Sequence, residues 1–307
     1  MTVTLAEAPA AMTYPGRVPI DVMMPFYGDV AQFRQAVSSV LGQRDGDLRL
    51  VVVDDCYPDA EPRVWLESLT DPRVHYHRNT TNLGVNGNFR RCVELVEADH
   101  FVVMGCDDVM LPDYLGTVRA LAAAHPDASV VAPGVEVIDD RDRVVRPLAD
   151  RIKSVLSPNA SPGTPVVLAG ESMATSLYHG NWTYFPSLLW RTAPVREVGF
   201  RPGLEIVLDL ALLVDLAADG GSLVHDPTVI FRYRRHDASV SSVQAVDGRR
   251  FAEENAFFAT EARRCAERRW PRAARAARLH ATSRLNHAQS RVAAAVGTVL
   301  RRPNATA

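Results

Sequence analysis

Apolar and polar positions alternate along the first two thirds of the chain in a strand–helix rhythm. Ile20, Val22, Met23 and Met24 form a short strand-like run. Asp29 stands where a helix cap belongs, and Phe33, Val37, Val40 and Leu41 follow at the spacing of one helical face. Residues 48–53 are almost continuously apolar and β-branched, the pattern of a central parallel strand, and end abruptly in Asp54-Asp55. Pro62 opens a second helix that runs to Leu69, and Val74-His75-Tyr76 reads as a short strand. Asn86 or Gly87 begins a helix carrying Phe89, Val93 and Val96; residues 100–104 form a buried strand, and Pro112 starts a further helix. Repeated units of this kind imply an α/β fold, a mainly parallel central sheet with right-handed crossovers and flanking helices.

Beyond residues 130–132 the rhythm loosens. A hairpin is expected at residues 138–145 around Asp140-Arg141-Asp142, a Pro/Ser/Gly loop at 157–165, and a strand within 184–190. Residues 208–218 read as a helix stopped by Gly220-Gly221, and 229–233 as a strand. From Gly248 onward the pattern is helical with one break at Pro271, and Leu285, Ala288, Val292, Val296 and Val299 make an amphipathic stripe. These shifts divide the chain into a flexible arm (1–17), a main domain (18–246, with halves at about 18–133 and 134–246) and a C-terminal basic helical segment (247–307).

Composition narrows the function classes. The 307 residues carry a net charge of −2, yet residues 249–302 hold 13 Arg against 4 Glu, so a tail of +9 accompanies a body of −11. Such a tail fits contact with an anionic membrane surface, a second copy of the chain, or the acidic body itself. No apolar run is long enough to span a bilayer, and the start lacks the features of a secretory signal. Cys56, Cys92, Cys106 and Cys265 form no CxxC pair, which points to reduced thiols and a cytoplasmic protein, with a peripheral place on the inner face of the membrane as an extension. There is no glycine-rich dinucleotide fingerprint, no P-loop and no nucleic-acid module, so dehydrogenase, NTPase and nucleic-acid-binding readings lose support.

The chemistry gathers at strand ends. Open α/β sheets bind ligands beyond the carboxyl ends of their strands. Three polar clusters sit there: Pro25-Phe26-Tyr27, Asp54-Asp55 and Asp107-Asp108. Adjacent carboxylates after a buried strand are costly unless neutralised. A divalent cation, Mn²⁺ or Mg²⁺, does this with one or two carboxylates plus substrate phosphates. A turn with a helix cap is the alternative use of the same pair.

The motifs, in this order, resemble those of the family 2 glycosyltransferases with the GT-A fold, over roughly residues 18–240. The residues that carry the likeness are Pro25 and Tyr27, the strand into Asp54-Asp55, Asn82-Leu83-Gly84 with Asn88, Cys106-Asp107-Asp108 with Pro112-Asp113, Leu208-Asp209, and Arg232-Tyr233-Arg234-Arg235-His236 with Ser239 and Ser241. Three positions depart from the family pattern. The first Asp of the DxD element falls at Gly105, the Glu-Asp before the base becomes Leu208-Asp209, and the Asn after the Pro-x-Tyr turn is Gly28.

The resemblance implies an inverting hexosyl- or related sugar transferase that uses a nucleotide-diphosphate sugar. Pro25, Phe26, Tyr27, Asp55, Asn82, Asn88 and Asp107 then hold the donor, with Tyr27 against the base and Asp55 accepting from it. Asp107 is the direct cation ligand; Asp108 and His236 complete the shell, or Asp108 orients the ribose or caps the helix. Arg234 and Arg235 grip the diphosphate or are solvated at a strand end. Asp209 is the general base. Asn181, Trp182 and Glu205 face the acceptor, which is a carbohydrate, a lipid-linked sugar or a small natural product. Two rivals remain: a catalytically reduced sugar-nucleotide-binding protein, motivated by Gly105 and Leu208, and a nucleotidyltransferase, for which the loop after the first strand lacks the Gly-rich basic segment.

Overall fold

The computed structural model describes residues 18–235 and 249–279. The expected N-terminal arm, His236, Ser239, Ser241 and the stripe from Leu285 onward lie outside the described residues. The first half contains strands β1 (Ile20–Phe26), β2 (Leu48–Asp54), β3 (Val74–Arg78), β4 (His100–Val103) and β5 (Val109–Met110). It also contains helices α1 (Val30–Leu41), α2 (Glu61–Glu67), α3 (Gly84–Leu95) and α4 (Tyr114–Ala124). There follow β6 (Val130–Ile138), β7 (Val144–Val145), α5 (Leu148–Leu156), β8 (Val166–Ala169), α6 (Gly170–His179), β9 (Leu189–Arg191), α7 (Thr192–Val198), α8 (Leu208–Ala218) and β10 (Ser222–Arg234). Two further helices complete it, α9 (Arg249–Glu267) and α10 (Pro271–Leu279).

One sheet runs β3-β2-β1-β4-β9-β6-β10-β5, with β7 on β6 and β8 on β10. The β3-β2-β1-β4 portion is parallel, as the strand–helix rhythm implies. Beyond it the sheet is mixed: β9 enters antiparallel between β4 and β6, while β6 and β10 are parallel. The expected strand within 184–190 is a 3₁₀ turn at Phe185–Ser187 followed by a three-residue strand. The hairpin is present, with Val137 opposite Val145 and Ile138 opposite Val144. Helix α4 starts two residues after Pro112, and Asp113 pairs with Arg44 without capping it.

Register explains why the polar clusters meet. Phe26 lies beside Asp54, and Met104 N–H reaches Met23 O just past the end of β4. The chain therefore leaves β1, β2 and β4 on the same edge, at Tyr27, Asp55 and Gly105. Side chains alternate across the pleat. Met23, Val51, Val53, Phe101 and Val103 enter a core shared with α6, α8, α9 and α10. Val22, Met24, Leu50, Val52 and Val102 enter another shared with α1 and α4.

Helix α8 is apolar nearly all round, which requires cover on every side. The C-terminal helices supply it. Arg201 bridges Asp215 of α8 and Glu261 of α9, Arg264 joins the same two carboxylates, and the Tyr178 hydroxyl donates to Glu261 at 2.7 Å. Helix α10 buries Ala273, Ala274, Ala276 and Ala277 and packs on α6, leaving Arg272, Arg275 and Arg278 exposed. Of the readings open for the tail, residues 251–279 thus pack against the body. Among the described residues no helix is long and apolar enough to cross a membrane.

At one position the sheet has no room for a side chain. β10 bulges between Asp226 and Val229 against β6, and a Cβ on Gly134 would lie 2.1 Å from the carbonyl oxygen of Pro227. Overpacking against backbone cannot be relieved by a rotamer change. Gly134→Ala is therefore expected to lower unfolding stability by about 1–3 kcal/mol, read as a drop in the denaturant midpoint. A midpoint unchanged from the parent chain would show that the bulge yields freely.

Candidate functional site

A cleft of about 1150 Å³ opens at the carboxyl edge of the sheet. Pro25, Tyr27, Asp55, Asn82, Asn88, Asp107, Asp108, Glu205 and Asp209 all line it. Residues separated by up to 184 positions in sequence thus face one space, because register and topology bring their strand ends together.

On the β2 side, Asp54 and Asp55 divide their tasks. Asp54 Oδ1 accepts from Tyr57 N–H, and Asp54 Oδ2 takes the Tyr76 hydroxyl and Arg78, so Asp54 is a structural knot. Asp55 Oδ1 accepts from Asn79 Nδ2 at 2.9 Å and Leu83 N–H at 2.8 Å, which pins the loop before α3 to the strand end. Asn88 is buried; its Nδ2 donates to Val53 O and its Oδ1 accepts from Asn79. Tyr27 is 55% exposed and stands edge-on to Tyr57, a free aromatic face at the cleft mouth.

Asp107 and Asp108 turn back over Gly105. A Cβ at that position would lie 2.6 Å from Asp108 Oδ2 and 2.7 Å from Asp107 Oδ1. The missing first acid of the DxD element is therefore also missing volume. Asp108 is 1% exposed. Its Oδ1 accepts from Arg234 N–H at 2.8 Å, whereas its Oδ2 is buried without a hydrogen-bond partner. Burial, and then the negative charge of Asp107, raises the Asp108 carboxyl well above the ordinary carboxylate value.

An orphaned carboxylate oxygen beside a second carboxylate fits a hard divalent cation. Among the described residues no group of three or more His, Cys, Asp or Glu could hold a metal by itself. A cation here would need ligands from water or a bound phosphate as well.

Arg234 is a clamp rather than a phosphate grip. It is 2% exposed, and it donates to Asp107 O, Asp139 O, Gln35 Oε1 and Asp142 Oδ1. Arg235 is committed to Asp150 at 2.8 Å.

Asp209 lies in the first turn of α8, at the opposite wall. Its Oδ1 accepts from Leu210 N–H and its Oδ2 from Asn181 Nδ2 at 2.8 Å. Burial raises its pKa above the ordinary value, against the pull of these two donors and of Lys153. Glu205 faces the cleft and is held by Asn86 Nδ2, which donates to its Oε2 at 2.7 Å and its carbonyl oxygen at 2.8 Å. The segment before α8 has no capping side chain of its own. Glu253 of α9 supplies one, its Oε1 accepting from the N–H groups of Glu205, Ile206 and Val207 at 2.7–3.2 Å.

Three expected site residues sit elsewhere. Phe26 is in the core against Phe33 and Tyr57, because the pleat turns it away from the cleft. Trp182 is 4% exposed, donates to Ser176 and packs on His225 in a second cavity of about 870 Å³. Asn181 does not line the cleft but touches it through Asp209. Lys153, Asn86 and Glu253 escaped the sequence reading. Only Lys153 carried a signal, as the sole lysine in a chain with 34 basic residues.

Residues 21–175, half of the chain, match the family model described as Glycosyl transferase family 2. The chain belongs to that family. Its relatives include the succinoglycan biosynthesis protein ExoO of Rhizobium meliloti, 26% identical over 224 residues, which are 72% of this chain and 62% of ExoO. The putative colanic acid biosynthesis glycosyl transferase WcaA of Escherichia coli is 26% identical over 102 residues, 33% of this chain and 37% of WcaA. The chain thus spans less than two thirds of the length of ExoO. Among solved structures, S. aureus TarS 1-349 in complex with UDP-GlcNAc superposes with a TM-score of 0.58 at 14% identity, covering 77% of this chain and 70% of that one. TarS 1-349 alone gives 0.53 at 16% identity, over 70% and 60%. The fold is accordingly the GT-A type expected for family 2.

The brace on the segment that leads into Asp209 comes from outside residues 21–175 of this family 2 chain. Glu253→Ala strands three backbone donors and is expected to cost about 1–3 kcal/mol of stability. Glu253→Gln, which keeps an acceptor oxygen, should recover most of it. Paired denaturation curves of the two variants check this; equal losses would mean that the acceptor itself contributes little.

Proposed function

We propose that the protein transfers a sugar from a nucleoside-diphosphate sugar to an acceptor hydroxyl or amine with inversion. The observation that carries this reading is the single cleft faced by Asp55, Asp107, Asp108 and Asp209. Tyr27 packs on the nucleotide base and Asp55 accepts from a ring N–H. Asp107 and Asp108 would hold a divalent cation, Mn²⁺ or Mg²⁺. The cation supplies charge neutralisation to the leaving diphosphate. Asp209 takes the acceptor proton as the acceptor oxygen or nitrogen attacks the anomeric carbon from the face opposite the nucleotide. Its raised pKa improves it as a base near neutral pH. Glu205, beside Asp209, binds acceptor hydroxyls. Residues 18–133 serve chiefly the donor and 134–246 the acceptor, which is a carbohydrate, a lipid-linked sugar or a small natural product. The four free thiols fit a reducing, cytoplasmic setting.

Both departures that favoured a non-catalytic scaffold have a steric account. A Cβ at Gly105 would meet the Asp107 and Asp108 carboxylate oxygens as they lie, and Leu208, though it lines the cleft, is only 4% exposed, so an acid there would be largely buried. Asp55, Asp107, Asp108 and Asp209 line the cleft all the same.

The cation reading is tested by calorimetry of UDP, GDP and dTDP with and without Mn²⁺. Wild type should bind one of them tightly only with the cation, and Asp107→Asn should lose that dependence. Identical isotherms for the two proteins under both conditions would refute the cation site.

The base reading is tested by turnover of the donor that binds. Asp209→Asn should reduce kcat by about 10²–10⁴-fold with donor affinity retained. At saturating cation, wild-type kcat should fall as pH drops through a midpoint above the ordinary Asp value of 3.8. The sign follows because a raised pKa protonates the base at a higher pH. The residual activity of Asp209→Asn should lack that limb.

A further inference from the structure

Lys153 is the only lysine in the chain, and it sits half-buried in the last turn of α5. It lines the second cavity, whose wall toward the cleft is formed where the Tyr184 and Tyr233 rings meet at 5.2 Å. Its Nζ donates to Thr183 O at 2.6 Å and sits 4.2 Å from the centroid of the Tyr184 ring. The Thr183 hydroxyl donates to Asn181 Oδ1 at 2.7 Å, and Asn181 Nδ2 donates to Asp209 Oδ2 at 2.8 Å. The ammonium group is thus tied to the base carboxylate through two residues and lies within its electrostatic reach.

The other charged groups around Lys153 are Asp150 on its own helix and Arg235 after β10. They pair with each other at 2.8 Å, and Asp150 Oδ1 also accepts from the Tyr184 hydroxyl. Asp150 Oδ2 is buried without a hydrogen-bond partner, so the ammonium has two carboxylates in reach, and Asp209 acts on it more strongly than Asp150.

We propose that Lys153 is a positioning and charge-setting residue for Asp209: it anchors the Thr183–Asn181 arm that orients the carboxylate, and it supplies the cation against which that carboxylate ionises. The proposal rests on the reading of Asp209 as base and goes beyond it. A chain that uses arginine at every other basic position has placed here a compact ammonium, which fits under one aromatic ring and can itself lose its proton. Burial brings Lys153 down to about 8, with Asp209 and then Asp150 acting to raise it. In the other direction, the ammonium charge opposes the rise that burial imposes on Asp209. Removing the lysine leaves that rise unopposed.

A single lysine makes the pair directly readable, since ¹⁵N-lysine labelling gives one side-chain signal. In the ligand-free full chain the Lys153 midpoint should lie near about 8. In Asp209→Asn it should move down by about one pH unit, because the anion that favours the ammonium is gone. An unmoved midpoint would overturn the pairing, and it would do so whether or not the chain turns over a donor.

The second arm uses the pH profile of donor turnover. Lys153→Met should carry the acid limb to higher pH, and Lys153→Arg should return it toward wild type. A Lys153→Met profile reduced equally at every pH would overturn the charge-setting role. Should Lys153→Met fail to fold, the titration of the native lysine in Asp209→Asn still decides.

Discussion

Asp108 is folded away with one carboxylate oxygen answered by Arg234 N–H and the other by nothing. An unanswered carboxylate oxygen in low dielectric is expensive, and a second carboxylate beside it makes ionisation harder still. The surroundings carry this cost in a specific way. Arg234, itself almost without exposure, spends its hydrogen bonds on the backbone of Asp107 and Asp139 and on Gln35 and Asp142. The cation nearest the acidic pair is thereby fixed as a scaffold. It holds the turn without filling the space in front of the carboxylates. Asp108 Oδ2 stays without a hydrogen-bond partner, which fits the proposed cation site.

The far wall answers a different demand. Helix α8 is too apolar to meet water, so it needs cover from α9 and α10, and that cover also delivers Glu253 to three backbone donors ahead of Asp209. Packing and chemistry are joined at this point. The C-terminal helices bury the helix that carries Asp209 and fix the segment that presents it. A tail whose Arg content suggested an external anionic surface packs, over residues 251–279, on α6 and α8 behind the cleft, with Arg272, Arg275 and Arg278 exposed.

The strands and their acidic ends were legible because each is a local signal. A continuous β-branched run, a period of two and an abrupt carboxylate need no knowledge of the distant chain. Residues 208–218 were legible for the same reason, and so was the break at Pro271. What the sequence concealed depends on partners far away. Helices α5, α6 and α7 are short, and α5 and α7 lie beside or contain prolines, so their periodicity never accumulates. Phe26 sits in a motif of otherwise cleft-facing residues, and only the pleat shows that it points inward. Trp182 looked like a sugar platform in a polar loop, but its indole closes on His225 in another cavity. Arg234 and Arg235 looked like phosphate ligands because charge alone does not reveal prior commitment to Asp142 and Asp150.

The departures from the family pattern follow from these same constraints. With a side chain at position 105, Asp107 and Asp108 could not both fold back toward it, since even a Cβ would meet their oxygens at 2.6–2.7 Å. The adjacent pair and the glycine before it are therefore one geometric solution, in which the turn contributes two converging carboxylates instead of two spaced ones. At the other wall, Leu208 and Asp209 both line the cleft, Leu208 with only 4% exposure. An acid at 208 would put a second, largely buried carboxylate next to Asp209, where both could ionise only at a cost. The cleft keeps Asp107 and Asp108 at one wall and Asp209 at the other, and Lys153 connects to Asp209 from the second cavity through Thr183 and Asn181, outside the space that these carboxylates line.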